Sequence, residues 1–330
     1  MKKTNNLVTL KEVVKFLKKN NNYCVLCHAS PDGDTLGAAA ALVISLKKMG
    51  KNAFVLCPDE IPEKYSYFIN KGLLNKTNYS TVIAVDVADM QLLGSLKDEF
   101  LGKVDLCIDH HISNTKYAKM LYLDSCASAT CESIYELLRL MKIELDEITA
   151  SALYTGISTD TGSFKYSNVT AKTHKIAAEL YGYNINASQI SKLMFDTKSK
   201  RVVALEKAAM NGAEFYFNDR CFVMSVTMDM LSKTGCKDNE LESLAAITRS
   251  IEGVLVGITI KQRDENEYRV SLRTEAGIDA SKICAALGGG GHKAAAGCTL
   301  CGTLNDVKEK LLKEVQKALE EKDAGISTNR

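Results

Sequence analysis

Residues 22–50 read NYCVLCHASPDGDTLGAAAALVISLKKMG, and the order of residue types in this stretch decides the fold. Asn22 to Cys27 is an apolar run bounded by polar residues and too short for a globular helix, so it reads as a strand. Pro31-Asp32-Gly33-Asp34 is a turn, and Thr35 to Met49 is an Ala/Leu-rich helix with Gly50 as its C-cap. Taken alone, Asp32-Gly33-Asp34 reads as a turn with an N-cap at Asp34.

Outward from this unit the pattern recurs. Ala53 to Cys57, Thr81 to Val85 and Val104 to Ile108 are short apolar runs rich in β-branched residues, and Ala129 to Met141 and Ile148 to Ser158 have helical patterns. Alternating strands and helices imply an α/β fold with a mostly parallel sheet covered on both faces. Ligands of such sheets bind outside the carboxyl ends of the strands. That rule places His28, Asp32, Asp34, Asp86 and His110 on one edge. Around 187–210 the pattern becomes helical and charged. Beyond it, strand-like runs at 213–217, 221–227, 254–262 and 268–273, a short helix, a glycine run and an amphipathic helix from Leu304 to Glu320 predict a smaller α/β domain with a mixed sheet. The expected division is 1–190, a helical linker at 191–212, and 213–330, with a frayed tail after Glu320.

Composition narrows the function. Lys plus Arg number 42 against 40 Asp plus Glu, a net charge of +2, which disfavours long duplex nucleic acid and suits compact anionic ligands held by local cations. Nothing approaches the roughly 20-residue apolar stretch of a membrane helix, and no signal peptide is apparent, so a cytoplasmic protein is expected. The 11 cysteines are expected to be reduced thiols. Cys24/Cys27 and Cys298/Cys301 have zinc-like spacing, but within strands their side chains alternate faces. Cys126 and Cys131 are read as packing residues, and His174 as a surface histidine.

Five segments carry the chemistry: His28-Ala-Ser-Pro-Asp32-Gly-Asp34, Asp86-Val-Ala-Asp89, Asp109-His110-His111, Asp160-Thr-Gly and Gly288-Gly289-Gly290-Gly291-His292. They hold four of the five histidines in the chain. Taken singly, Asp86 and Asp160 could each be helix caps. Jointly, His28, Asp32, Asp34, Asp86, His110 and Asp160 supply the carboxylates and imidazoles that two divalent cations about 3.5–4 Å apart require. Such mixed ligation favours Mn²⁺ or Mg²⁺. The matching reaction is hydrolysis of a phosphate ester or anhydride. In the glycine run, unencumbered backbone N–H groups with His292 and Lys293 suit an anion, while a hairpin or helix stop is the structural alternative. Arg273, in Ser271-Leu-Arg273, could face the same site from a strand, with an ordinary exposed arginine as the equal alternative.

In order and spacing these residues resemble the motifs of the DHH phosphoesterases, and Gly288 to His292 with Ala294-Ala-Ala-Gly297 resembles their DHH-associated C-terminal domain. The likeness spans about residues 20–300 and is similar to the oligoribonuclease and pAp-phosphatase (NanoRNase) branch. It implies a DHH catalytic domain at 1–190, a substrate-binding domain at 213–330 and an active site in the cleft between them. By position, His28, Asp32 and Asp86 would bind one Mn²⁺, and Asp34, Asp86, His110 and Asp160 the other, with Mg²⁺ or Co²⁺ as alternative cations. His111 would contact the scissile phosphate and Asp109 would orient the imidazoles. Arg273 and His292, with the backbone of Gly288, Gly289, Gly290 and Gly291, would hold the distal phosphate and nucleotide.

The implied substrates are very short RNA oligonucleotides and 3′-phosphoadenosine 5′-phosphate (pAp), and a homodimer is the family expectation. Three rivals remain from the sequence: a cyclic di-AMP and linear dinucleotide phosphodiesterase, a family II pyrophosphatase, and a catalytically inactive nucleotide sensor. The pyrophosphatase lacks support because the second domain ends in Gly-Gly-Gly-Gly-His. The intact ligand set argues against the sensor.

Overall fold

The computed structural model describes residues 6–236, 244, 247, 248, 250–275 and 277–327. Met1–Thr197 and Lys198–Arg330 are separate units.

In the first unit, Thr9 and Glu12 form a capping box that starts α1 (Leu10–Lys19), a helix that the strand-first reading of the sequence passed over. β1 (Asn22–Leu26) leads into α2 (Gly33–Lys48). The cap of α2 is Asp32, not Asp34: its Oδ1 accepts from Asp34 N at 3.0 Å and Thr35 N at 3.1 Å. Gly50 lies just beyond the helix with φ +74°, the left-handed stop that glycine allows. β2 (Asn52–Leu56), β3 (Thr81–Val85), β4 (Leu106–Asp109) and β5 (Met120–Leu123) follow, then α3 (Thr130–Leu140), α4 (Glu147–Asp160) and α5 (Ala171–Tyr181). The edge strand β5 went unread in the sequence because it is short and only partly buried.

All five strands are parallel in the order β2-β1-β3-β4-β5. Alternation sends Tyr23 and Val25 into the core shared with the helices, and Cys24 and Leu26 into a second core with Phe54, Val82 and Phe100. Cys24 and Cys27 therefore fall in different cores, while Cys298 is buried and Cys301 exposed, which removes the zinc reading. Helix α2 is central: Ala38 to Ala41 are all fully buried. It packs so closely on α4 that a Cβ at Gly37 would lie 2.4 Å from the Ala152 carbonyl oxygen. Because β1 has β2 on one side and β3 on the other, the sheet reverses its winding direction between β1 and β3, leaving a crevice at their carboxyl ends.

The second unit contains α6 (Lys200–Asn211), β6 (Glu214–Tyr216), β7 (Cys221–Val226), α7 (Met228–Thr234), β8 (Val256–Asp264), β9 (Glu267–Thr274), α8 (Ala280–Ala286), β10 (Gly290–His292), β11 (Ala295–Cys301) and α9 (Leu304–Ser327). The sheet order is β10-β11-β9-β8-β7-β6, antiparallel except for the parallel β7–β8 pair. Val307, Leu311, Val315 and Leu319 of α9 recur every fourth residue and, with Ile283 of α8, cover Ile258, Val270 and Leu272. On the opposite face Phe222 and Met224 pack against Val202 and Leu205 of α6. The expected frayed tail after Glu320 is instead helical through Ser327.

Candidate metal centre

The carboxyl ends of β1, β3 and β4 deliver the site. His28 and Asp32 follow β1, Asp86 follows β3, and Asp109, His110 and His111 close β4. Asp86 caps no helix; it adopts a left-handed backbone with φ 59°, a conformation costly for a non-glycine residue and found where the surroundings enforce it. Asp160 is not a cap either. It is the last residue of α4, where the helix dipole disfavours a carboxylate.

His28 Nε2 lies 3.5 Å from Asp32 Oδ1 and 3.7 Å from Asp86 Oδ2. His110 Nε2 lies 3.7 Å from Asp86 Oδ1, 3.9 Å from Asp34 Oδ2 and 3.2 Å from Asp160 Oδ2. The two oxygens of Asp86 thus face two different imidazoles. In each of the groups His28/Asp32/Asp86, Asp34/His110/Asp160 and Asp86/His110/His111, one ligand atom per residue lies within 4.8 Å of the others. An octahedral ion with bonds of about 2.1 Å spans about 3 to 4.2 Å between its ligands, so these groups can contract around one. His110 is set up for a cation: its Nδ1 is held 3.1 Å from the Ala127 carbonyl oxygen, and its buried Nε2 makes no hydrogen bond among the described residues. A nitrogen oriented in this way among carboxylates is what a cation ligand requires.

Electrostatics point the same way. Burial, then repulsion from Asp160, raises the Asp34 carboxyl to about 7. Burial and the neighbouring Asp34 carboxylate push Asp86 well above the ordinary range. Burial alone would lower His110, but Asp160 and Asp34 outweigh it and raise the ring to about 9. Asp32 is held low despite its burial by His28 and by the backbone N–H groups of Thr35 and Asp34. The site therefore crowds like charges together, which a divalent cation would relieve.

Asp109 is fully buried and accepts from His111 Nδ1 at 2.9 Å, from the N–H groups of His110 and His111, and from Asn114 Nδ2 at 2.6 Å. Burial opposes its ionisation, but these donors keep it low. With Nδ1 engaged by Asp109, His111 has Nε2 as its other ring nitrogen. Sequence reasoning missed Asn114, whose place in Ile112-Ser113-Asn114 reads as an ordinary polar turn. It also missed Thr35, whose Oγ1 donates to the Val85 carbonyl at 3.1 Å and ties the β1 loop to β3.

In the second unit, His292 pairs with Ala295 and Ala295 with Arg273, so the three lie in one cross-strand row on one face of the sheet. His292 is exposed and Arg273 half-buried, with Nη1 donating to the Leu272 carbonyl oxygen at 2.9 Å. The glycine run corrects one expectation. Gly288 N and Gly289 N donate to the Ala285 and Cys284 carbonyls at the end of α8, so these two N–H groups are not free for an anion. Gly289 is needed for close approach, since a Cβ there would sit 2.2 Å from the Gly297 carbonyl oxygen. His174 is exposed and stacks on Phe164, while Cys131 is buried and Cys126 exposed, so the packing role holds for Cys131 alone.

A parallel α/β sheet with acidic and imidazole clusters at its switch point is an arrangement suited to metal-assisted hydrolysis. Residues 22–157 match the DHH family, N-terminal domain, and residues 218–321 match the DHHA1 domain. The chain is thus a phosphoester hydrolase carrying a DHH domain and a DHHA1 domain, as its motifs indicated. It is 29% identical to the bifunctional oligoribonuclease and PAP phosphatase NrnA of Thermus thermophilus, a match covering 89% of each chain. It is 24% identical to the cyclic-di-AMP phosphodiesterase GdpP of Bacillus subtilis, over 92% of this chain and 48% of that one. The crystal structure of an exopolyphosphatase-related protein from Bacteroides fragilis has the same fold, with a TM-score of 0.83, 21% identity and coverage of 94% and 95%. Among the described residues no helix is long and apolar enough to cross a membrane.

Proposed function

We propose that the protein hydrolyses phosphodiester and phosphomonoester bonds of very short oligoribonucleotides and of pAp, releasing mononucleotides, with two Mn²⁺ ions. The observation that carries this reading is Asp86, whose two carboxylate oxygens face two separate ligand clusters. The likeness to NrnA along nearly all of both chains supports the choice of substrate.

His28, Asp32 and Asp86 hold one cation, and Asp34, Asp86, His110 and Asp160 hold the other. When bound, the pair of cations supplies charge neutralisation at the phosphate and an activated water at neutral pH. His111, oriented by Asp109, hydrogen-bonds a phosphate oxygen through Nε2 and stabilises charge developing there. Arg273 and His292, in one row on the second sheet, bind a further phosphate or nucleotide group of the substrate.

The test is Mn²⁺-dependent turnover of pApA, pAp, cyclic di-AMP and pyrophosphate side by side. His110→Ala, which removes an imidazole facing Asp34, Asp86 and Asp160, is the control, with far-UV circular dichroism checking the fold. Rapid AMP release from pApA and pAp with little attack on cyclic di-AMP is expected. Preferential opening of cyclic di-AMP moves the protein to the activity named for GdpP, and inactivity on all four substrates overturns the reading.

A further inference from the structure

The N-terminus of α3 lacks a side-chain cap: Ala129 occupies the cap position and contributes no side-chain hydrogen bond. Asp34, from a different element, fills that role. Its Oδ2 accepts from Thr130 N at 2.6 Å and its Oδ1 from Cys131 N at 2.8 Å. The hydroxyl of Thr130, fully buried, points to another carboxylate and donates to Asp86 Oδ1 at 2.9 Å. One residue thus grips two carboxylates through two different donors, and the preceding Ala127 carbonyl holds His110.

We infer that Thr130 is a positioning residue for the metal pair, setting which oxygen of Asp86 faces which cation. A carboxylate rotates about its terminal bond with a broad, two-fold preference, so it has little intrinsic orientation. The Thr130 hydroxyl occupies one lone pair of Oδ1, leaving the other for the side of His110 and His111, 3.7 and 3.4 Å away, while Oδ2 faces His28. Branching at Cβ limits the threonine χ1, and the buried helix start fixes the backbone beneath it, so the donor is itself rigid. Cys131 cannot substitute, because its thiol is turned to the Asp34 carbonyl oxygen at 3.5 Å.

The inference rests on the two-cation reading above, and the experiment separates the two. Mn²⁺ binding isotherms and electron paramagnetic resonance spectra are recorded for the unaltered protein, Thr130→Val and Thr130→Ser. Thermal midpoints of the metal-free proteins serve as the fold control. The expected result is two Mn²⁺ with an exchange-coupled spectrum in the unaltered protein. Thr130→Val should lose about 10- to 100-fold in Mn²⁺ affinity, with loss of the coupled signal, and Thr130→Ser should restore both. If Thr130→Val does not fold, Thr130→Ala removes the same hydroxyl with less apolar surface against the carboxylates and is judged by the same criteria. Two coupled Mn²⁺ at unaltered affinity in a folded variant without the hydroxyl overturns the positioning role. Absence of paired Mn²⁺ in the unaltered protein overturns the two-cation reading instead.

Discussion

Asp34, Asp86 and Asp109 in the first unit are 0%, 3% and 0% exposed, and each accepts hydrogen bonds from a neighbouring segment. His292 in the second unit stands exposed on a three-residue edge strand. In one region, carboxylates are buried against their own repulsion and held by donors from α3 and the β4 loop. In the other, the backbone is specified by glycine sterics, and His292 is exposed beside a half-buried Arg273. A buried, mutually repelling cluster responds to a substitution through cation binding and rate, because the orientation of each ligand depends on the others. If the exposed edge holds substrate, as proposed, a substitution there should act on substrate affinity, because little else rests on it.

The sharpest way to break this contrast is His110→Ala. Its expected cost in turnover exceeds about 100-fold, the upper end of what losing an outer partner costs, with far-UV circular dichroism unchanged. Retained activity and retained metal would remove His110 from the site. Asp109→Asn keeps the size of the side chain but loses the charge that holds His111, and should cost about 10- to 100-fold in kcat with both Mn²⁺ retained. A loss of metal there would move Asp109 into the ligand set.

On the second unit, His292→Ala should raise KM for pApA about 10-fold, the worth of a hydrogen bond to a charged group, and leave metal content unchanged. An unchanged KM would mean that this edge does not hold substrate. The smallest effect is linkage to pH. Asp34, raised to about 7, and His110, raised to about 9, retain protons that a cation must displace. Mn²⁺ affinity should therefore climb with pH, most steeply below about 7, and level off above about 9, with proton release measurable by an indicator dye. A flat profile would show that the cation does not displace these protons.

Much of this was readable from residue types alone, because strand and helix periods are local properties. The β1-turn-α2 unit, the parallel sheet, and the placement of His28, Asp86 and His110 at strand ends follow from apolar runs and the rule for α/β crevices. The glycine run also marked a special place in the chain, although its first two N–H groups close a helix instead of facing an anion. Local reading failed where a residue acts outside its own element. Asp32 and Asp34 both look like caps, yet Asp32 caps its own helix whereas Asp34 caps α3, 96 residues along the chain.

The sequence by itself determined the architecture and the inventory of carboxylates and imidazoles at the strand ends, since hydrophobic period and residue chemistry are carried by neighbours along the chain. Only the tertiary structure decided how those side chains face one another, because that depends on packing between distant segments. It brought Asp160 to His110 from a helix end, aimed the two oxygens of Asp86 in different directions, and set the Thr130 hydroxyl against a carboxylate 44 residues away.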